Sequence, residues 1–256
     1  MARSPRQSQA KPIAKPVPPD AVRVWRGFRL GTLTPEEFLQ DLSTIFIPVT
    51  AQLQRLYGLT AYLPTVLPSS KPAGVPDEIA LVFYQTQQAY NDTSNIVAGR
   101  AYSLLHKTVF AFPASLSGFP VLLGSALALD QPYHLFAGAV DWRGGFTQVF
   151  VGSRPENATV QQFSGKLQRF FQREQKLQTR GLDGAIFSVS ANYFVYWEHW
   201  TSEAASLHGR ISELPKYSTR VLLQPYTAQP VEASLTAPYP GLSGVESKSF
   251  NIIFPR

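Results

Sequence analysis

The sequence feature that most constrains the fold is an internal repeat. Residues 24–29 (VWRGFR) correspond to residues 149–154 (VFVGSR) in an ungapped register. The same register aligns further identical residues, namely Thr34 with Thr159, Phe38 with Phe163 and Leu42 with Leu167. Shared residues of six types in one frame are hard to attribute to chance. The sequence therefore predicts two copies of one structural unit.

Each copy carries the signals of a helix after its first strand. The N-cap hydroxyls and the side chains that complete a capping box with them are Thr34 with Glu37 and Thr159 with Gln162. Apolar residues then recur at steps of three and four over 38–56 and 163–177, so one face of each helix should lie on a sheet. Gly58 and Gly181 follow the two helices, as expected for left-handed caps at their ends.

The remaining segments predict the order βαββαβ in each copy. Strands rich in β-branched and aromatic residues are predicted over 60–67, 78–86 and 108–112 in the first copy, and over 183–190, 192–200 and 218–226 in the second. Second helices are predicted over 87–105 and 201–214. This order is that of a ferredoxin-like unit, and it predicts an α+β fold class.

The aromatic strand of the second copy indicates how the two units meet. A four-stranded sheet with both helices on one face leaves its other face bare, and residues 193–197 (YFVYW) are too apolar for that face to remain in water. Each buried aromatic side chain contributes on the order of 2 to 3 kcal/mol. We therefore expect the sheets to pack face to face as an intrachain version of a dimeric α+β barrel, whose interior is either packed solid or holds an apolar ligand.

These elements predict five segments. They are a flexible basic Pro-rich tail (1–21), a first ferredoxin-like unit (22–112), a linker (113–145), a second ferredoxin-like unit (146–226) and a Pro/Gly/Ser-rich C-terminal extension (227–256).

Composition narrows the class of protein. No apolar run is long enough for a transmembrane helix, and the first residues lack the apolar core of a secretory signal, so we expect a cytoplasmic protein without a membrane partner. The absence of cysteine excludes disulfides, thiolate metal sites and iron–sulfur clusters. Phosphate-binding glycine loops, the dinucleotide fingerprint and the Gly-x-Ser-x-Gly nucleophile motif are also missing.

The net charge of +6 is not gathered on a folded face. About half of it lies in the first twenty residues, and neither copy has the basic and aromatic strand of an RNA-binding domain. We do not expect a nucleic-acid partner, although the arm could be either a solvated tail or an RNA-binding or acidic-partner arm. The apolar segment 250–254 (FNIIF) should dock on its own body or on a neighbouring subunit, and we expect a homo-oligomer held through the tails.

One motif in the second copy resembles a known family. Residues 195–208 run from a strand ending in Glu198 and Trp200 into a segment with Ala204 and His208. This pattern resembles the antibiotic biosynthesis monooxygenase family of α+β barrel proteins, although the spacing from Trp200 to His208 is one residue short. The first copy has residues 84–90 (YQTQQAY) at the equivalent point and lacks the Glu, Trp and His.

The resemblance implies an oxygenase that uses no metal or flavin and acts on an apolar, aromatic or polyketide-like substrate. A base would deprotonate the substrate, and the resulting anion would reduce oxygen in a chamber that excludes water. His199 is the candidate base, with Glu198 as a second catalytic candidate. The candidate substrate-binding residues are Tyr193, Tyr196, Trp197 and Trp200.

Strand alternation limits which of these residues can share a face. Tyr193, Trp197 and His199 should point one way, and Tyr196, Glu198 and Trp200 the other. Structural roles compete at each position, because both tryptophans could be core residues and Glu198 could pair with Arg154 or Arg210. On the same reasoning, His208 could serve only for packing or capping.

No cofactor is expected. His106 and His134 have no metal-ligand spacing. Chlorite dismutase-like haem proteins look similar in length and duplicated architecture, but their proximal histidine lies on the first helix of the second copy, and residues 159–180 contain no histidine.

Two functional hypotheses follow. The first is a small-molecule-binding barrel with cofactor-independent monooxygenase or isomerase activity. The alternative is a non-catalytic assembly protein whose tails bind neighbouring subunits. A cavity of several hundred cubic ångströms lined by Tyr193, Trp197 and His199 would favour the first, and a filled interior would favour the second.

Overall fold

The computed structural model describes residues 21–67, 69, 71–142, 145–207, 219–226, 248–249 and 252–253. The first half contains β1 (Ala21–Gly27), α1 (Pro35–Asp41), a π-helical turn (Leu42–Phe46), α2 (Ile47–Arg55), β2 (Leu59–Val66), β3 (Glu78–Tyr84), α3 (Gln87–Asn95) and α4 (Val97–Val109). Three short strands follow: β4 (Leu116–Gly118), β5 (Val121–Leu122) and β6 (Pro132–His134). The second half contains β7 (Phe146–Ser153), α5 (Val160–Leu177), β8 (Leu182–Val189), β9 (Tyr193–Trp200), α6 (Glu203–Ser206) and β10 (Thr219–Tyr226), followed by β11 (Lys248–Ser249) and β12 (Ile252–Ile253).

These strands form two sheets. The first has the order β11-β2-β3-β1-β4, with β12 also paired to β2, and the second has the order β10-β7-β9-β8-β6-β5. All pairs are antiparallel except β5 with β6. Within each sheet, the first strand of the half lies beside the third, and the second strand lies on the third strand's other side. The α+β fold class is confirmed, and this order is compatible with a ferredoxin-like or barrel-like arrangement.

The predicted strand positions are largely confirmed, with one clear error. Residues 108–112 are not a strand, because α4 continues to Val109 and Phe110 makes only an isolated bridge with Arg29. The strand that pairs with the outer side of β1 is β4, which lies in the segment predicted as a linker. The helix α4 thus ends at Val109, inside the apolar run 108–112 that was predicted as a strand.

The second helices also differ from their predictions. The helix predicted over 87–105 is two helices, which are separated at Ile96 by an extended backbone (φ −89°, ψ 164°). In the second half the described part of the predicted helix 201–214 contains α6, and residues 208–214 of that prediction lie outside the described residues. His208 and Arg210 lie there as well.

The two sheets pack against each other through their apolar faces. A single buried cluster contains side chains from both sheets, including Val24, Leu63 and Leu81 of the first and Val149, Val195 and Trp197 of the second. Because successive side chains of a strand alternate, the neighbouring residues face the helices instead. The expectation that the aromatic strand faces do not meet water is confirmed.

Arg26 connects the two sheets inside this apolar contact. Its side chain is buried, its Nη1 donates to Ser188 Oγ at 2.6 Å, and its Nη2 donates to the Asp130 carbonyl at 3.0 Å. Burial lowers the pKa of Arg26, and the nearby Tyr193 and Asp130 oppose that effect. A buried guanidinium requires such acceptors, so these bonds fix the position of β1 relative to β8.

Helices cover the outer faces of both sheets. In the first half the cluster under the helices includes Trp25, Phe38, Phe46 and Phe110. In the second half α5 presents one apolar face to its sheet, and the ring of Phe171 stacks on that of Phe187 with 3.7 Å between centroids. Both predicted capping boxes are present at the starts of α1 and α5.

Several local features occur at matching points of the two halves. Gly58 and Gly181 have positive φ angles (95° and 89°), which favour glycine. The carbonyl of each accepts a backbone bond of 2.8 Å, from Gln85 N–H and Thr201 N–H respectively. Irregularities in strand register also match, lying between Leu59 and Ala61 in one half and between Leu182 and Gly184 in the other.

The C-terminal strands add to the chain's own first sheet. Lys248 pairs with Val66 and Ile252 pairs with Tyr62, so β11 and β12 occupy the edge that β2 would otherwise present. The apolar segment 250–254 was predicted to dock either on the chain's own body or on a neighbouring subunit. Its described part, Ile252–Ile253, pairs with the chain's own β2. The arm 1–20 lies outside the described residues.

The sheet-to-sheet contact gives a prediction about stability. Leu81 is fully buried between the sheets, whereas Leu104 on α4 is 60% exposed. Leu81→Ala should lower the free energy of unfolding in urea by about 2 to 5 kcal/mol, because it leaves a cavity in the shared core. The same substitution at the exposed position, Leu104→Ala, should change it by less than about 0.5 kcal/mol. Equal effects of the two substitutions would contradict this packing.

Candidate functional site

The predicted site residues of β9 divide between two environments. Tyr193 and Trp197 belong to the inter-sheet core and His199 lies on the same strand face, whereas Tyr196, Glu198 and Trp200 face the helix side. The structure therefore does not bring His199 and Glu198 together. The two groups cannot act on the same substrate atom from these positions.

Tyr193 and Trp197 lie in a tightly packed region. Trp197 is fully buried, Tyr193 is nearly so, and the Tyr193 ring contacts that of Phe28 from the first sheet, with 6.2 Å between centroids. Both side chains belong to the cluster in which the two sheets interlock. Their positions fit the core role that competed with substrate binding in the sequence analysis.

His199 forms a pair with Asp183 that the sequence analysis missed. His199 Nδ1 lies 2.6 Å from Asp183 Oδ1, with His199 buried and the Asp183 side chain 44% exposed. The signal was present in the hairpin, because the tight turn between β8 and β9 aligns Gly184 with His199 and leaves Asp183 in the adjoining register irregularity. A carboxylate at Nδ1 fixes the orientation and the tautomer of an imidazole.

A cavity of about 380 Å³ lies near this pair, between the sheets and the segment that joins the two halves. We call it the inter-sheet cavity. Its walls include Val22 and Phe83 of the first sheet, Ala185 of the second, and His134 and Trp142 of the connecting segment. Burial lowers the pKa of His134, so this wall carries no charge near neutral pH.

Trp142 separates His199 from this cavity. The two rings are 5.3 Å apart between centroids, and Trp142 lines the cavity whereas His199 does not. On another side, a Cβ added to Gly145 would lie 2.8 Å from His199 Nε2, so the backbone closely covers that edge of the imidazole. His199 and Asp183 therefore support the cavity wall from behind.

Glu198 is a buried carboxyl group on the helix side of the second sheet. Trp200 Nε1 donates to its Oε2 at 3.0 Å. Burial raises the pKa of Glu198 to about 7, and Glu174 of α5 adds to this rise, while bonds from Tyr196 and Trp200 oppose it. The suggested pairing with Arg154 is wrong, since that guanidinium bonds to the Ala158 and Ala191 carbonyls and to the Asn192 side chain.

A second buried carboxyl group, Glu78, lies on the helix side of the first sheet, and the sequence analysis missed it. It accepts hydrogen bonds from Trp25 Nε1 at 2.9 Å and from the Tyr62 hydroxyl. Burial raises the pKa of Glu78 to about 7 despite these two donors. Since Glu78 and its two partners come from three different strands, only the sheet pairing could have revealed the cluster.

No group of residues that could hold a metal ion occurs among the described residues. Within that part of the chain, no helix is long and apolar enough to cross a membrane. His106 packs among aromatic rings, including Trp25 and Phe46, and burial there lowers its pKa to about 4.

Comparisons with known proteins give no family for this chain. No protein-family model matches it, and no curated protein matches it. Among solved structures, a proposed monooxygenase from Lactobacillus acidophilus NCFM is 10% identical over 82% of this chain and 97% of its own, with a TM-score of 0.36. A proposed monooxygenase from Fusobacterium nucleatum is 8% identical over 82% and 95% (TM-score 0.38), and an anthrone oxidase-like protein is 7% identical over 86% and 96% (TM-score 0.34).

Identities and TM-scores this low carry no argument about this chain. The resemblance to the monooxygenase family therefore stays a prediction.

The buried carboxyl groups give a prediction about pH. Because the pKa of Glu78 is raised in the folded protein, this group stabilises the fold at pH values below its unfolded pKa, and that contribution is lost as pH rises through about 7. The loss should be roughly 3 kcal/mol in the free energy of unfolding. In Glu78→Gln, stability measured by urea unfolding should fall less between about pH 4.5 and 7.

The matched control is Glu36→Gln, at an exposed position of α1. Its pH profile should follow the unsubstituted protein, because Glu198 and Glu78 are both intact. A Glu78→Gln profile parallel to that of the control would contradict the assigned environment.

Proposed function

We propose that the protein binds an apolar, aromatic small molecule in the inter-sheet cavity. The observation that carries this proposal is the cavity of about 380 Å³ with Trp142 in its wall and the His199–Asp183 pair behind that ring. Small-molecule sites are concave, mostly apolar and equipped with a few fixed polar groups, and their volumes begin near 300 Å³.

The lining favours a ring system of two or three fused rings. Phe83 and Trp142 offer aromatic faces and Val22 and Val140 offer aliphatic contacts, while His134 supplies a neutral imidazole that can bond to a hydroxyl or carbonyl. An ionised ligand would lose its hydration in this wall without gaining a countercharge among the described lining residues.

The finer proposal is that the protein oxidises its ligand without a cofactor. His199, oriented by Asp183, would take the proton of an acidic carbon or hydroxyl group of the substrate. The substrate anion would then pass electrons to oxygen, and a methylene group plus O₂ would give a carbonyl group plus water. Isomerisation would require only the proton transfer. In either reaction both the Trp142 ring and the backbone at Gly145 would have to move before His199 Nε2 could touch the substrate.

We also propose that the chain arose by tandem duplication of one βαββαβ unit. The aligned sequence repeat supports this, as do the matched capping boxes, the glycines with positive φ and the register irregularities of the two sheets. Duplication would explain why the halves share a frame while Glu198, His199 and Trp200 occur only in the second half. The second half would have kept these residues of β9, and the first half would have lost them.

An assembly role is the second candidate function, and the packed surroundings of Tyr193 and Trp197 favour it. A protein that serves only as a scaffold has no need of an open interior. Native mass spectrometry of freshly purified protein distinguishes the two. A retained small molecule supports binding, and a ligand-free oligomer supports assembly.

Filling the inter-sheet cavity should weaken binding. Ala139 lines the cavity at an exposed position, so Ala139→Trp can place a large ring in it without disturbing the core. We expect the affinity for 2-naphthol, measured by calorimetry, to fall about tenfold or more, a loss of about 1.4 kcal/mol. Ala114→Trp, at an exposed position that does not line the cavity, should leave the affinity unchanged. Equal affinities of both variants would refute binding at this cavity.

The proposed role of His199 is tested with anthrone, a tricyclic ketone that carries an acidic methylene group. Oxygen uptake above the protein-free rate should occur, and His199→Gln should lower kcat by about 10² to 10⁴ with little change in KM if the imidazole acts as a base. A rise in KM with kcat unchanged would instead mean that His199 only supports Trp142. Absence of uptake with intact 2-naphthol binding would leave a binding protein without this activity.

A further inference from the structure

A second cavity, of about 200 Å³, lies on the opposite face of the first sheet, beneath its helices. We call it the helix-side cavity. Its floor includes Trp25, Val82 and Tyr84, whose neighbours in the strands face the other sheet. Phe83, by contrast, lines the inter-sheet cavity. The body of the sheet therefore separates the two cavities, and a ligand of one cannot reach into the other.

Aromatic rings form a large part of the wall of the helix-side cavity. Tyr84 and Tyr90 meet edge to face with 5.2 Å between ring centroids, and Phe46 stacks on Tyr102 at 5.9 Å. His106 closes one side between Trp25 and Phe46. Faces and edges arranged in this way favour a planar ring as the guest.

The polar groups of the wall are held in place by bonds to one another. Thr50 Oγ1 donates to the Phe46 carbonyl at 2.7 Å and therefore receives the proton of the Tyr102 hydroxyl, 2.6 Å away. The Tyr84 hydroxyl donates to Gln54 Oε1 at 3.3 Å. The hydroxyl oxygens thus keep lone pairs with which to accept a bond from a ligand, while their protons are engaged by the framework.

His106 has a defined proton arrangement as well. Its Nδ1 lies 3.1 Å from the Tyr102 carbonyl, and a carbonyl only accepts, so Nδ1 carries the proton of the neutral ring. Nε2 is then an acceptor. The wall accordingly offers acceptors from two tyrosines and one histidine, and these could receive a hydroxyl substituent on the ring of a ligand whose other polar group lies elsewhere.

Positive charge marks one side of the cavity. Arg23 and Arg100 both line it, and no aspartate or glutamate does among the described residues. The Arg23 guanidinium lies 4.6 Å from the centroid of the Tyr90 ring and donates to the Ser117 hydroxyl. Within the described part of the chain it has no ion pair. Glu78 lies behind Tyr62 and Trp25 rather than in the wall.

The volume sets the size of the guest. A cavity of about 150 Å³ is enough for benzene, so the 200 Å³ present here admits one aromatic ring with a small substituent. We propose that the helix-side cavity binds a monocyclic aromatic carboxylate, with its ring among Trp25, Tyr84 and Tyr90 and its carboxylate on Arg23. This site is independent of the binding proposed for the inter-sheet cavity.

The test compares benzoate with benzamide, which has nearly the same shape and no charge. Calorimetric titration of the full-length protein at neutral pH should show benzoate binding about 10- to 100-fold more tightly, the range expected for a charge-assisted hydrogen bond. This comparison uses the unsubstituted protein and does not depend on the folding of any variant. Equal affinity for the two probes, or binding of neither, overturns the proposal.

Two substitutions locate the site. Arg23→Gln should weaken benzoate binding about 10- to 100-fold while changing benzamide binding little, and Arg23→Lys should restore part of the loss. Arg169→Gln, at an exposed position of α5, is the matched control and should leave both affinities unchanged. Thermal unfolding of each variant checks that it is folded.

The outcomes also separate the two cavities. If Ala139→Trp weakens benzoate binding and Arg23→Gln does not, the probe occupies the inter-sheet cavity and the inference is wrong, although the proposed function stands. If 2-naphthol fails to bind while benzoate binds through Arg23, the proposed function fails and this inference stands.

Discussion

The burial of two apolar sheet faces against each other is the constraint on which the rest of the structure depends. Val24 and Leu81 from one sheet and Val195 and Trp197 from the other occupy one continuous core. Burial on this scale is the main favourable term in folding, and it fixes which side of every central strand faces inward. Arg26 fixes how the two sheets are positioned, because its hydrogen bonds to Ser188 and Asp130 can form in only one relative position of the sheets.

Because the inner faces are packed mainly with apolar side chains, the two buried carboxyl groups lie on the outer faces of the sheets. Glu78 and Glu198 both lie under helices, and each accepts a bond from an indole N–H. In both cases burial outweighs the donors and holds the pKa near neutrality, so the two halves carry similar titrating groups at different points of their sheets. Shifted carboxyl groups are common at functional sites, but they also occur in structural networks.

Two cavities of different character follow from this layout. The larger one lies where the connecting segment crosses the margin of the inter-sheet core, and its neutral wall suits an apolar ring system. The smaller one lies under the helices of the first half, and Arg23 gives it a positive side. Their separation by a sheet means that one protein can present two chemically distinct sites without competition between their ligands.

The sequence by itself determined the local order of the chain. The repeat and the capping residues Thr34 and Thr159 predicted helices that begin where they were expected, and alternation along β9 correctly separated His199 from Glu198. These features depend on neighbours a few residues apart, whose geometry the backbone periods fix. The error at 108–112 arose where an apolar run was read as a strand although the helix continues into it as far as Val109.

Only the tertiary structure decided the partners of the functional groups. The contacts of Trp142 with His199 and of Tyr62 with Glu78, and the placement of Arg23 over Tyr90, join residues from different elements. The sequence left open whether the interior is packed or holds a ligand, and the fold decides this, because the core between the sheets is packed and the cavities lie at its margin and on the outer face of the first sheet. No periodicity encodes such contacts, because they depend on how close-packed elements meet, and small differences in side-chain volume determine where space remains.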